Sequence, residues 1–184
     1  MRSQYVEKLI KTVIDNSYSD SWDVAVTEWK IIDCEEDDEL QGECICGKEN
    51  LKYLYTIKNK ITGKVLFPIG SSCIQKFEQS DLNYEIKIIE GMFKLYRAIS
   101  SNQRLELNSD FFTRNLLRAL YEDGAFESEY NCYHGERDYE FMLTLFNKRN
   151  KDTISSAQRS KVNAILAFSI KPYLKNNLKF RKNS

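Results

Sequence analysis

Three cysteines stand at the two ends of a segment that has the pattern of a β-hairpin. Cys44 and Cys46 are separated by one residue and followed by Gly47, and Cys73 lies at the far end of the segment. Thiolates are common ligands of structural zinc, and a glycine beside them leaves room for backbone amides around a sulfur. These residue types, brought together by a hairpin, predict a zinc site at Cys44, Cys46 and Cys73.

A tetrahedral zinc ion needs a fourth ligand, and three sulfurs leave one position unfilled. Cys34, Cys132 and His134 are the candidates, and spacing alone does not choose among them. We rank Cys34 first because it precedes Cys44 in the same half of the chain. The alternative is that the cysteines are reduced thiols that pack as small apolar side chains.

The segment between the cysteines has the signals of two strands and a turn. Residues 51–58 alternate between two faces, as a half-buried strand does. Residues 59–63 include Asn and Gly, which tolerate positive φ, so the chain can reverse into a second strand at 64–67. Such a hairpin brings Cys73 back beside the Cys44–Cys46 pair.

Helical periodicity flanks the hairpin on both sides. An amphipathic helix at 3–16, a short helix and a strand that begins at Trp29 precede it, and several capped helices follow it. We therefore predict an α+β fold in two parts. Residues 1–100 form a small lobe that contains the hairpin and flanking helices, and residues 101–184 form a helical bundle. The polar segment 101–107 is the predicted boundary, and Pro172 is expected to bend or end the last long helix.

Charge is distributed unevenly along the 184 residues, although basic and acidic side chains number 27 each. Ten Lys or Arg follow residue 147 against one acid, Asp152, whereas residues 33–43 contain seven acids. Such asymmetry indicates a nucleic acid or nucleoprotein partner, but a solvated loop at 35–41 and an ordinary basic helix surface are the alternatives. The candidate partner-binding residues are the bases Lys148, Arg149, Lys151, Arg159, Lys161, Lys171 and Lys175 and the acids Glu35, Glu36, Asp37 and Asp38.

Other classes of protein are disfavoured by what the chain contains. No apolar run is long enough to cross a bilayer and the first residues lack a signal peptide's apolar segment, which predicts a cytoplasmic protein without a membrane partner. Its cysteines are then thiols or metal ligands rather than disulfides. His134 lies near several acids and could cleave a phosphodiester, but no nucleophile or second base accompanies it. We expect a surface histidine and lean against an enzyme.

Several motifs resemble small proteins of phages and integrative elements in Gram-positive bacteria. They are Trp29-Lys-Ile, the acidic run at 33–43, Cys-Ile-Cys-Gly at 44–47, the hairpin with Thr62-Gly63, Pro68-Ile-Gly-Ser-Ser-Cys-Ile at 68–74, and residues 139–149 and 155–158. Some mobile-element proteins of this kind inhibit the type II CRISPR effector nuclease. The resemblance implies an inhibitor that binds this nuclease or its guide-RNA complex in the cytoplasm of a bacterial host. The chain departs from the group at Tyr55, where similar proteins carry a further cysteine, and this departure weighs against a four-thiol site.

Two other functions fit the same residues. One is an accessory nucleic-acid-binding protein in phage replication or recombination, again with a zinc-stapled lobe. The other is a nuclease that trims guide RNA with His134 and its acidic neighbours. Binding to free strands that weakens steeply with salt would distinguish the accessory protein from an inhibitor that binds only a protein–guide complex.

Overall fold

A computed structural model describes residues 3–101, 107 and 109–180. These residues form two compact units, one made of residues 3–87 with 179–180 and the other of residues 88–178. The predicted α+β class is confirmed, because helices accompany a four-stranded sheet. The division between the units falls inside a helix, between Lys87 and Ile88, rather than at residue 100. Residues 102–106 of the predicted boundary lie outside the described residues.

The first unit contains the sheet and most of the short helices. Its helices are α1 (Gln4–Asp15), α2 (Trp22–Ala25), α3 (Ser71–Ile74) and the start of α4 (Ser80–Ser100), with 3₁₀ turns at Val26–Glu28 and Gln75–Phe77. Its strands are β1 (Trp29–Glu36), β2 (Tyr53–Asn59), β3 (Val65–Ile69) and β4 (Lys179–Phe180).

The sheet has the order β3-β2-β1-β4. Strand β2 pairs antiparallel with both β1 and β3, and the β2–β3 pair is the predicted hairpin. Strand β4 comes from the basic end of the chain and pairs parallel with β1, where Lys179 forms an ion pair with Asp33. One base of the predicted basic tail therefore neutralises one acid of the predicted acidic run.

Only part of the acidic run is the solvated loop that the sequence predicts. Residues 38–41 form an exposed turn, as predicted, whereas β1 extends to Glu36 and both Glu35 and Glu36 pair with β2. The side chains of Glu36 and Asp37 are each only 1% exposed. The Lys52 ammonium lies 3.7 Å from the Glu36 carboxylate, and three backbone amides donate to the Asp37 carboxylate. These partners offset the repulsion and desolvation that would otherwise keep the acids in water.

The second unit is helical. After the end of α4 it contains α5 (Arg114–Glu122), α6 (Gly135–Asn147), α7 (Ser156–Ile165) and α8 (Lys171–Asn177), with 3₁₀ turns at Glu129–Asn131 and Lys151–Thr153. A π-helical turn, Leu166–Ile170, lies between α7 and α8. Its core is formed by buried side chains from the long helices, among them Leu95, Leu117, Met142 and Ile165, and by Phe126 from the turn after α5.

Capping side chains begin two helices of this unit, and a proline follows its π-helical turn. Thr113 accepts the amide of Leu116 at the start of α5. Ser155 and Gln158 have the spacing of a capping box in the sequence, and they form one at the start of α7. Pro172 follows the π-helical turn at the beginning of α8, so the helical path changes just before the residue that lacks an amide proton. Among the described residues, no helix is both long and apolar enough to cross a membrane.

Candidate metal centre

The structure brings together the three cysteines that the sequence singled out. The Sγ atom of Cys73 lies 3.7 Å from that of Cys44 and 3.5 Å from that of Cys46, and all three sulfurs lie within 4.8 Å of one another. The three residues are between 2% and 5% exposed. Three buried thiols this close together can hold a metal ion.

The loop between β1 and β2 is folded into a tight knuckle around Cys44. Gly47 has a φ of +92°, and its amide donates to the carbonyl of Cys44 at 2.7 Å. The amide of Cys44 in turn donates to the carbonyl of Lys48 at 2.8 Å. Positive φ costs little at glycine alone, so Gly47 permits the reversal that points two nearby thiols toward one place.

Hydrogen bonds tie this knuckle to the far end of the hairpin. The amide of Ile45 donates to the carbonyl of Pro68 at 2.9 Å, which fixes the loop against β3. Cys73 lies in α3, directly after the hairpin, and its amide donates to the carbonyl of Gly70 at 2.9 Å. The convergence thus follows from the hairpin that the sequence predicts.

The thiols influence one another's ionisation. A hydrogen bond from the Cys73 thiol, helped by the amides of Cys46 and Gly70, outweighs burial and lowers the pKa of Cys44 to about 5. The hydrogen bond to Cys44, burial and the nearby negative charge raise the pKa of Cys73. Burial is the main cause that raises the pKa of Cys46. Without a cation the group therefore favours one thiolate, and a bound divalent ion would stabilise all three.

Cys34, the highest-ranked fourth ligand, does not join the group. It is buried in β1 opposite Tyr55, and its Sγ lies 3.8 Å from the carbonyl oxygen of Glu35. The pairing of a central strand fixes its position, and the knuckle lies beyond the end of that strand. Cys132 and His134 belong to the second unit and are exposed. No other Cys, His, Asp or Glu among the described residues completes the three-thiol group.

A pocket of about 650 Å³ reaches the thiol group. Cys46 and Cys73 line it, together with Lys48, Asn50 and Lys76. Sequence reasoning did not single out these three polar residues, although Lys48 and Asn50 directly follow the Cys-x-Cys-Gly motif. The pocket leaves a route by which an ion, or a ligand to an ion, can reach the sulfurs.

The structure divides the seven candidate bases into two sets. The Lys151 ammonium donates to the carbonyls of Leu145 and Phe146 at the end of α6, at 2.8 and 2.5 Å. Lys161 lies 3.1 Å from the Asp138 carboxylate, and Arg159 donates to the carbonyl of Lys151. The remaining bases make no side-chain hydrogen bond or ion pair within the described part of the chain; they are Lys148, Arg149, Lys171 and Lys175.

Of the four candidate acids, only two remain at the surface. Asp38 is exposed and Glu35 is half-buried, whereas the carboxylates of Glu36 and Asp37 are buried. The buried pair is occupied by Lys52 and by backbone amides, so neither acid is available to a basic partner. Any acidic docking surface in this region is therefore limited to Glu35, Asp38 and their exposed neighbours.

The fold and the site define an α+β protein with a buried three-cysteine centre that can hold a metal ion. Comparisons with protein families, with curated proteins and with solved structures gave no match to this chain.

Proposed function

We propose that this protein is a mobile-element inhibitor that binds the type II CRISPR effector nuclease or its guide-RNA complex. The observation that carries the proposal is the meeting of Cys44, Cys46 and Cys73, because these cysteines belong to the motifs that resemble phage and integrative-element proteins. Two of those motifs, at 44–47 and 68–74, contribute the thiols of this centre. A centre that fixes a hairpin and a short helix makes a rigid surface for binding.

The metal in this centre is, we propose, zinc. Thiolate ligands favour zinc among the abundant divalent ions, and a Zn–S bond of about 2.3 Å gives tetrahedral sulfurs a separation of about 3.8 Å. The observed separations of 3.5 and 3.7 Å agree with that spacing. The amide of Gly70, 3.4 Å from the Cys44 sulfur, is suited to stabilise a bound thiolate. Zinc there would cross-link the knuckle to α3 and supply no redox chemistry.

Binding rather than catalysis is favoured by the surroundings of His134. It lines a pocket of about 360 Å³ with Glu127, Glu136 and Arg137. Within the described residues, however, its imidazole makes no hydrogen bond to a carboxylate that would orient it. A catalytic base is normally held by such a partner and placed beside a nucleophile or an activated water. An inhibitor that blocks a nuclease needs only to occupy its binding surface and needs no catalytic group.

The surfaces available for binding are few and charged. Asp38 and Glu39 are exposed at the turn after β1, where they can meet a basic nucleic-acid channel. In the second unit, Arg149 and Lys175 are exposed bases without an internal ion pair in the described residues, so they are suited to contact phosphates. Asp38, Arg149 and Lys175 are the best placed of the candidate residues that the sequence singled out, and Glu39 is an exposed neighbour of Asp38.

The proposal is tested by pull-down of purified type II effector nuclease, with and without guide RNA, together with a DNA-cleavage assay. We expect association and loss of cleavage. The variant with Arg149→Ala and Lys175→Ala should bind the guide complex more weakly, and the slope of its salt dependence should fall by about one for each phosphate that is no longer neutralised. The matched control carries Lys58→Ala and Lys60→Ala, which removes two exposed lysines from the first unit.

Two results would count against inhibition of the nuclease. Absence of both association and inhibition would refute it. Tight binding to free single strands, strongly weakened by salt and independent of the nuclease, would instead indicate an accessory nucleic-acid-binding protein.

A further inference from the structure

The second unit has an open pocket lined by aromatic side chains that the proposed inhibition does not use. The pocket has a volume of about 820 Å³ and lies between the segment 127–133 and the segment 168–177. Tyr130, Tyr133 and Phe168 line it and are 49%, 62% and 59% exposed. Clustered exposed aromatic rings are unusual on a protein surface that has no ligand or partner.

Two of these rings are already arranged as a platform. The rings of Tyr130 and Phe168 are stacked, with centroids 5.4 Å apart and planes inclined by 22°. Phe168 is carried by the π-helical turn Leu166–Ile170, an irregularity that is often found at functional sites. A ring pair of this kind presents flat faces to a planar group.

The segment that carries Tyr130 and Tyr133 is held in place by polar contacts. The hydroxyls of Ser128 and Ser169 lie 2.7 Å apart, which joins this segment to the π-helical turn. The Asn131 amide donates to the Phe126 carbonyl and to the Asp138 carboxylate, at 2.7 and 2.9 Å. Tyr133 itself has a φ of +61°, a strained conformation for a residue other than glycine. The aromatic wall is therefore pre-organised.

The charged side chains that line the pocket are acidic, although its second segment, 168–177, belongs to the basic part of the chain and carries Lys171 and Lys175 outside the lining. Glu127 and Glu129 line the pocket, and no Lys, Arg or His among the described residues does so. Residues 121–140 contain seven acids and one Lys or Arg, Arg137. Burial and the nearby Asp123 carboxylate raise the pKa of Tyr173, which also lines the pocket. A phosphate would be repelled here, whereas a cation would be attracted.

We infer that this pocket binds the guanidinium group of an arginine side chain on a protein partner. Guanidinium is planar and weakly hydrated, so it can stack on Tyr130 and Phe168 while it donates hydrogen bonds to Glu127 or Glu129. A lysine ammonium satisfies the charge but lacks the flat face. A nucleobase satisfies the flat face but brings an anionic backbone toward two carboxylates. This inference goes beyond nuclease inhibition and holds for any partner that exposes arginine.

The test measures binding of two short peptides to the full chain by NMR titration. One peptide alternates arginine with glycine, and the other has lysine in place of every arginine. We expect the arginine peptide to bind more tightly and to shift the resonances of Tyr130 and Phe168. The variant with Tyr130→Ala and Phe168→Ala should weaken its binding about tenfold, whereas Tyr130→Phe, which keeps the ring, should not. Glu127→Gln with Glu129→Gln should also weaken it.

Control variants separate this site from general attraction to acidic surfaces. Tyr18→Ala removes an exposed tyrosine from the first unit, and Asp20→Asn removes an exposed acid there; both should leave the affinity unchanged. Equal affinity for the two peptides, or binding that survives loss of both rings, would overturn the inference. So would a single-stranded oligonucleotide that shifts the same rings when the arginine peptide does not.

Discussion

The Sγ atoms of Cys44 and Cys73 lie 3.7 Å apart although 29 positions separate the two residues in sequence. One thiol comes from a glycine-containing knuckle and the other from the first turn after the hairpin. Because no covalent bond joins them, a metal ion between them would close a long loop of the unfolded chain. Stability of the first unit should therefore depend on the ion.

Replacing a thiol of the centre should remove both metal and stability. We expect the wild-type protein to contain about one zinc ion per chain, and Cys73→Ser to lose it because two sulfurs bind zinc far more weakly than three. Elemental analysis gives the stoichiometry, and thermal unfolding with and without a chelator gives the stability change. Cys132→Ser is the matched control, since that thiol is exposed in the second unit. If Cys34→Ser retains zinc, the buried Cys34 thiol is not one of the ligands.

Two neighbouring acids should respond very differently to loss of charge. The Asp37 carboxylate accepts the amides of Glu39, Gln41 and Gly42, at 3.2, 3.0 and 2.9 Å. Asp37→Asn should lower the free energy of unfolding by about 2 kcal/mol, because an amide cannot accept all three donors and brings two donors of its own. Asp38→Asn, at the exposed neighbour, should change it by less than about 0.5 kcal/mol. Urea denaturation measures both, and equal effects would contradict the account.

Acid should destabilise the first unit through Glu28, which is 3% exposed. Burial alone would raise the pKa of this carboxyl, but the Asn59 side chain and the amides of Tyr18 and Ser19 outweigh it and hold the pKa below its usual range. Because the pKa of Glu28 is lower in the folded state, its contribution to the free energy of unfolding is fully present above the unfolded-state pKa of about 4.3. That contribution is lost as pH falls through the folded-state pKa.

The variant Glu28→Gln tests this linkage. It should lower the free energy of unfolding by about 2 kcal/mol at pH 7. The loss should become progressively smaller as pH falls below about 4, because the wild-type carboxyl is then protonated and neutral like the glutamine. Urea unfolding across this pH range measures the difference. Glu140→Gln, at an exposed position on α6, is the control. A cost for Glu28→Gln that does not vary with pH would show that the hydrogen bonds do not depend on the charge.

Lys151 should stabilise the second unit rather than contact phosphates. Its ammonium donates to two carbonyls at the end of α6, and burial lowers its pKa. Lys151→Met should therefore cost about 1 kcal/mol of unfolding free energy, since those carbonyls lose their cap. Lys175→Met removes an exposed charge and should leave stability nearly unchanged. Thermal unfolding of the two variants measures both changes in stability, and equal changes would contradict a structural role for Lys151.

The sequence alone determined those features that depend on near neighbours. Alternation at 51–58, turn residues at 59–63 and the glycine after Cys46 were enough to predict the hairpin and the meeting of three thiols. Helices with apolar stripes and the capping box at Ser155 were equally readable. Each of these signals arises from backbone preference or from side chains that lie a few positions apart.

Only the tertiary structure decided the environment of the charged and aromatic side chains. Glu36 and Asp37 are buried, Lys151 and Lys161 have partners within the fold, and Lys179 returns to pair with Asp33. Whether a charge remains in water depends on donors and acceptors that distant segments bring to it, and periodicity carries no information about them. The same reason hides the pocket of Tyr130 and Phe168, whose rings are 38 positions apart in sequence and meet only when the π-helical turn packs beside the segment 127–133.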